Sequence, residues 1–111
     1  MDIVKRLIAE KQKRKKFFEN YTYYAKEIKK IARKYFSDAK VYVFGSVVDG
    51  SYHVMLSDID VAVVTSNFDK GKALELKIEV ERKLSDVFQL HVLSEREWKF
   101  YLNFVKRYIE V

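Results

Sequence analysis

The chain is 111 residues long, with 49% apolar and 15% aromatic residues, which suffices for one compact core and is too short for two. It contains no cysteine, which excludes disulfides, thiolate zinc sites and a cysteine nucleophile. Its net charge of +6 is uneven: residues 1–40 carry 13 of the 22 basic and 5 of the 16 acidic side chains.

The first glycine is Gly45 and there is no proline, so residues 1–36 can be almost wholly helical. Ile3, Val4, Leu7 and Ile8 form a short apolar stripe that fades into the run Lys11-Gln12-Lys13-Arg14-Lys15-Lys16. Tyr21, Tyr24, Ala25, Ile28, Ile31, Ala32 and Tyr35 form a second stripe at helical spacing. One helix over the whole stretch would span about 50 Å, too long for a domain of this size. A break or a projecting first segment is therefore expected near Lys11 to Lys16. The basic run reads either as a solvated helix face or as a docking surface for an acidic protein or nucleic acid. It has no base-reading pattern, so nucleic acid ranks below protein as its partner.

Val41-Tyr42-Val43-Phe44 reads as a buried strand ending at Gly45-Ser46. Residues 47–57 read as a loop with room for one helical turn. Asp58 to Thr65 reads as a second strand. Ser66 to Asp69 reads as a turn leading into a helix whose stripe is Ala73, Leu76, Val80 and Leu84. Val87 to Leu93 reads as a third strand. Ser94-Glu95-Arg96-Glu97 reads as a capping box before a final helix presenting Trp98, Tyr101, Leu102, Val105 and Ile109. The expected class is α/β (α+β). A single domain over 1–111 has a small mixed sheet (41–111, with a C-terminal helix) and helices packed on it, preceded by one or two long basic N-terminal helices (1–36). No apolar run approaches the ~20 residues of a membrane span. The N-terminus alternates apolar residues with charge, unlike a signal peptide. The expectation is a cytoplasmic protein that does not engage membranes. Abundant Lys, Glu, Tyr and Val with scarce Gln and no Pro hint at a thermophile.

Two features carry chemistry. Glycine after a buried strand lets the backbone turn sharply and approach a ligand closely. Amides of the following turn, with the Ser46 hydroxyl, could cradle phosphate oxygens. The second feature is Asp58 and Asp60, two apart and so on one face of an otherwise apolar strand. Paired carboxylates repel unless a cation lies between them, and hard oxygen ligands suit Mg²⁺ together with substrate phosphates. The structural alternative is that Ser57-Asp58 caps a turn and Asp60 faces water on an edge strand. The apolar remainder of the strand argues for a central position instead.

Gly45-Ser46, Gly50 and Ser57-Asp58-Ile59-Asp60 followed by an apolar strand resemble the signature of the DNA polymerase β-type nucleotidyltransferase superfamily, above all its small single-domain minimal nucleotidyltransferases. The resemblance is close over residues 41–66 and follows element order to the C-terminus. It implies a nucleotidyltransferase fold and transfer of a nucleoside monophosphate from a nucleoside triphosphate, ATP above others, to a hydroxyl. It also implies a two-metal Mg²⁺ site, with Asp58 and Asp60 as catalytic metal ligands and Gly45, Ser46 and Ser57 binding substrate. A third carboxylate of the family would fall on the strand Val87–Leu93, at Gln89, a neutral amide that cannot act as a base. His91, two residues on and on the same face, could accept a proton, face the ligand or serve the structure. His53, in the loop between Gly50 and Ser57, could touch a phosphate or base or pack the loop. Similar small transferases are often encoded beside a helical HEPN-domain protein. In such antitoxin-like pairs the transferase modifies a partner tyrosine. So short a chain has little room for an acceptor domain, which favours a partner protein or a homodimer completing the cleft. The competing reading is a partner-binding module that keeps the transferase fold while Gln89 has weakened or ended catalysis.

Overall fold

A computed structural model describes residues 2–111. The N-terminal third forms two helices, α1 (Ile3–Glu19) and α2 (Tyr21–Tyr35). The break falls at Asn20 rather than in the lysine run, because lysine and arginine are good helix formers. At Asn20 the backbone leaves helical geometry, and its side-chain amide donates to the Lys16 carbonyl at 2.9 Å. The expected projection is present. Ile3, Val4, Leu7 and Ile8 are all exposed, and α1 meets the body only in its second half, where Phe17 and Phe18 are buried.

Strand β1 (Lys40–Phe44) leads into a single helical turn, α3 (Ser46–Asp49). Then follow β2 (Ile59–Val64), α4 (Lys70–Lys83), β3 (Phe88–Leu93), α5 (Glu95–Tyr101) and β4 (Tyr108–Glu110). The sheet order is β3-β2-β1-β4, with β2 antiparallel to β1 and parallel to β3. The sheet is mixed, as expected, and β2 is central, so Asp60 does not lie on an edge strand.

Alternation along the strands divides the core in two. Val41, Val43, Ile59, Val61, Val63, Phe88 and Leu90 face α2, α4 and the end of α1. Tyr42, Phe44, Ala62, Val64 and Leu93 face Trp98 of α5 on the other side. On the first side α2 and α4 are joined by Glu79. It accepts from Lys34 at 2.5 Å, from the Tyr35 hydroxyl at 2.6 Å and from Lys83 at 2.8 Å. These donors, the Lys34 ammonium first, lower the Glu79 carboxyl to about 2.

The C-terminus departs from expectation. The capping box forms, with Ser94 and Glu97 each bonding the other's amide, but α5 ends at Tyr101. Ile109 lies in a strand, opposite Val43, and not on a helix face. The open edge of β1 offers unpaired amides and carbonyls that residues 108–110 satisfy. Val111 extends that pairing to the Val41 carbonyl at 3.0 Å. Among the described residues no helix is long and apolar enough to cross a membrane.

Candidate active site

β1 ends in a glycine that no other residue could replace without strain. Gly45 has φ 84°, a left-handed value that L side chains rarely adopt. A Cβ built there would lie 2.5 Å from Oδ2 of Asp60, so the turn and the carboxylate occupy adjoining space. The β1–β2 register accounts for this, since Phe44 pairs with Asp60. Ser46 opens α3, in which the Val48 and Asp49 amides both donate to the Gly45 carbonyl at 3.1 Å, leaving those of Ser46 and Val47 without an acceptor inside the turn. Gly50 closes that turn in the left-handed region, and the Ser51 amide donates to the Ser46 carbonyl at 3.1 Å.

Asp58 is exposed just before β2 begins, and Asp60 is half-buried on the same side of the strand by alternation. Gln89 lies beside Asp60 in the parallel β2–β3 register and is exposed. The side chain that reaches Asp60 is His91: its Nε2 is 3.2 Å from Asp60 Oδ1. On the other side of the ring, the Tyr101 hydroxyl lies 3.3 Å from His91 Nδ1. The site thus joins Gly45, Asp60, His91 and Tyr101, with Asp58 and Gln89 at its rim.

The loop before Asp58 is held from outside. Arg14 donates from Nε to the Val54 carbonyl at 2.7 Å and from Nη2 to the Ser57 carbonyl at 2.6 Å. Tyr52 stacks on Phe18 with ring centres 4.7 Å apart. Ser57 Oγ accepts the His53 amide at 2.9 Å, and His53 Nδ1 accepts the Met55 amide at 3.2 Å. Ser57 and His53 therefore serve loop geometry in this structure, and His53 does not reach Asp60. Sequence reasoning places Arg14 in a charge run and Tyr101 on a helix stripe. Neither position carries a local signal for its contact, which spans 40 residues or more for Arg14.

Beside Gly45 opens a cleft of about 420 Å³, whose lining includes Phe44, Phe100, Tyr101, Phe104, Val105 and Lys106. Among the described residues no three His, Cys, Asp or Glu side chains cluster closely enough to hold a metal ion unaided. A divalent cation nevertheless fits the donor set. Two carboxylates, with triphosphate oxygens completing the shell, are the usual way such sites bind Mg²⁺. The absent Cβ of Gly45 leaves that space open beside Asp60 Oδ2.

The sequence model of a family described as "Nucleotidyltransferase domain" matches residues 25–107. This chain belongs to that family. The match begins inside α2 and takes in every strand residue up to the start of β4. One solved structure, a candidate nucleotidyltransferase, is 42% identical, with a TM-score of 0.65 over 78% of this chain and 95% of that one. A second, a candidate nucleotidyltransferase from Sulfolobus solfataricus, is 23% identical over 89% and 82% of the two chains at a TM-score of 0.55. The tri-AMPylated Shewanella oneidensis HEPN toxin in complex with MNT antitoxin gives 23% identity and a TM-score of 0.46 over 68% of this chain and 56% of that one. No curated protein matches.

Proposed function

We propose that this nucleotidyltransferase-family chain moves a nucleoside monophosphate from ATP to a hydroxyl group. The observation that carries this is the close approach of Gly45 to Asp60. A positive-φ turn suited to phosphate adjoins a carboxylate suited to metal so closely that a β carbon at position 45 would lie 2.5 Å from Asp60 Oδ2.

The Gly45-Ser46 turn binds the triphosphate, using the amides of Ser46 and Val47 and the Ser46 hydroxyl. Asp58 and Asp60 hold Mg²⁺, which when bound stabilises the entering and leaving oxygens of an in-line displacement. The cleft beside Gly45 receives the base, against the rings of Phe44, Tyr101 and Phe104. His91 and Tyr101 fix the orientation of the Asp60 carboxylate. An acceptor hydroxyl delivered by a partner protein fits this reading. Family resemblance supports a tyrosine of a HEPN-type partner, making the pair antitoxin-like. The exposed lysines of α1 are the surface for that partner.

Calorimetric titration of ATP, with and without Mg²⁺, into wild type and the Asp58→Asn/Asp60→Asn double variant tests this reading. Mg²⁺-dependent binding lost in the variant supports it. Absence of binding by every nucleoside triphosphate overturns it. That second outcome would favour a partner-binding module with a transferase fold. One observation favours this alternative: Gln89, not a carboxylate, stands beside Asp60 in the sheet.

A further inference from the structure

The apolar side chains that open α1 lie on a face whose continuation is already in use. At helical spacing Ile3, Leu7, Arg14 and Phe18 fall on one side of the helix. From that side Arg14 bonds the Val54 and Ser57 carbonyls, and Phe18 stacks on Tyr52. Leu7 stands seven residues before Arg14, about 10 Å along the helix axis. The stripe therefore looks into the angle between the projecting half of α1 and the loop that leads to Asp58. Ile3, Val4, Leu7 and Ile8 are 52% to 72% exposed, and Leu56, between the two carbonyls that Arg14 holds, is 83% exposed. Asp2 caps the projecting end by accepting the Lys5 amide at 2.8 Å. So short a length of helix gains little from its own hydrogen bonds, and an apolar stripe of this kind marks a surface that a partner buries.

Shape and charge select the occupant. A bilayer takes a helix face that lies flat in its plane. An angle between a helix and a loop instead takes a rod, and amphipathic helices lie in apolar grooves in this way, anchored by side chains a turn apart. Val4 and Ile8 are followed at the same helical spacing by Lys11 and Lys15, so the stripe turns basic toward the body. Over its whole length α1 has seven basic and two acidic side chains. A second copy of this chain would bring two such surpluses together, whereas an acidic helix would offset one.

We propose that the angle between α1 and the 54–57 loop is a docking groove for an amphipathic helix of a partner protein. That helix is apolar where it meets Ile3, Leu7 and Ile8 and acidic where it meets Lys11 and Lys15. Its axis leads toward Ser57, so the partner's body reaches the rim of the site at Asp58. Under the transfer proposed above, on which this last step alone rests, the same contact delivers the acceptor hydroxyl.

The test uses a fluorescent peptide of about 18 residues, roughly five helical turns, with leucine on one face and glutamate on the others. Its counterpart has lysine for every glutamate. Anisotropy titration with the whole protein should show binding of the acidic peptide, weakened by added salt, and at least tenfold weaker binding of the basic one. Leu7→Asp should reduce the affinity for the acidic peptide tenfold or more without lowering the melting temperature, since the side chain is exposed. In wild type the acidic peptide should shift the amide resonances of Leu7, Ile8 and Leu56 as well as that of Lys11. Shifts confined to the lysines would reveal charge attraction alone and overturn the groove. Equal binding of the two peptides, or none of the acidic one, overturns it as well. Leu7-dependent binding to vesicles of phosphatidylserine and phosphatidylcholine without peptide binding assigns the face to a membrane and overturns the partner helix. A Leu7-dependent dimer in sedimentation equilibrium, again without peptide binding, assigns the face to a second copy and overturns it too. Mg²⁺-dependent ATP binding by the same protein reports separately on the transferase reading, so either can fail while the other stands. The resonance shifts need no variant.

Discussion

The guanidinium of Arg14 grips the carbonyl of Ser57 at 2.6 Å, tying the first helix to the residue that precedes Asp58. Arg14 is thereby set apart from the exposed lysines around it, although all belong to one basic run. Its second bond, to Val54, fixes the loop at two points. Arg14→Ala should cost about 1.5–3 kcal/mol of stability, the range for hydrogen bonds that involve a charged group. It should also weaken Mg²⁺·ATP binding, because the approach to Asp58 loosens. Lys15→Ala should change stability by no more than about 0.5 kcal/mol, as expected of an exposed position. Denaturant melts and ATP titration of the two variants check this. Equal effects from both would show that the contact has no special role.

Gly45→Ala should abolish ATP binding. The substitution places a methyl group against Asp60 Oδ2 and forces a residue with a side chain to φ 84°. Such backbone strain costs about 1–3 kcal/mol, so the variant should fold with a reduced melting temperature. Retained ATP affinity in a folded variant would move the phosphate site away from this turn.

Phe104 is 73% exposed, and its ring meets that of Phe100 edge-on, with centres 5.5 Å apart, in the lining of the cleft. Phe104→Ala should leave the melting temperature nearly unchanged. It should weaken ATP binding roughly tenfold, consistent with loss of one base-stacking contact. Binding of tripolyphosphate should not change. Equal losses for both probes would show that the ring acts on the phosphate site instead.

Glu79 makes acid stability testable. Its carboxyl falls to about 2 from an ordinary 4.5, through Lys34 first and then Lys83 and Tyr35. The folded state therefore holds its proton less tightly than the unfolded chain. The resulting stability is complete above pH 4.5 and is lost as the pH falls toward 2. Asp38, whose carboxyl is lowered by the Ser66 hydroxyl and then by Thr65, adds to the loss in the same direction. Urea melts between pH 6 and pH 2.5 should show a steeper decline for wild type than for Glu79→Gln. Parallel curves would show that the bridge between α2 and α4 contributes nothing.

Replacing the exposed Lys11, Lys13, Lys15 and Lys16 together with alanine should weaken association with an acidic protein partner while ATP binding remains. Co-purification of the HEPN-type partner proposed above would measure the first effect and calorimetry the second. Undiminished association would remove these lysines from the interface.

Much of this molecule is determined by the sequence alone. Two helical stripes, three β-branched strands, the Ser94 capping box and the phosphate and carboxylate motifs are local patterns. Their physical basis lies within a few residues of chain: side-chain alternation, helical spacing, a glycine needed for an abrupt turn. Gly45, Asp58 and Asp60 are legible for that reason. The tertiary structure decided the rest. Residues 108–110 become a strand only because β1 has an open edge for them to satisfy. Arg14 becomes an anchor only because α1 folds back over the loop 40 residues away. His91 meets Asp60, 31 residues away, because β2 and β3 pair in parallel, and Tyr101 meets His91 because the short helix after β3 packs back on the sheet. Hydrogen bonds and side-chain packing between distant segments leave no mark on local periodicity, so only the assembled fold could reveal them.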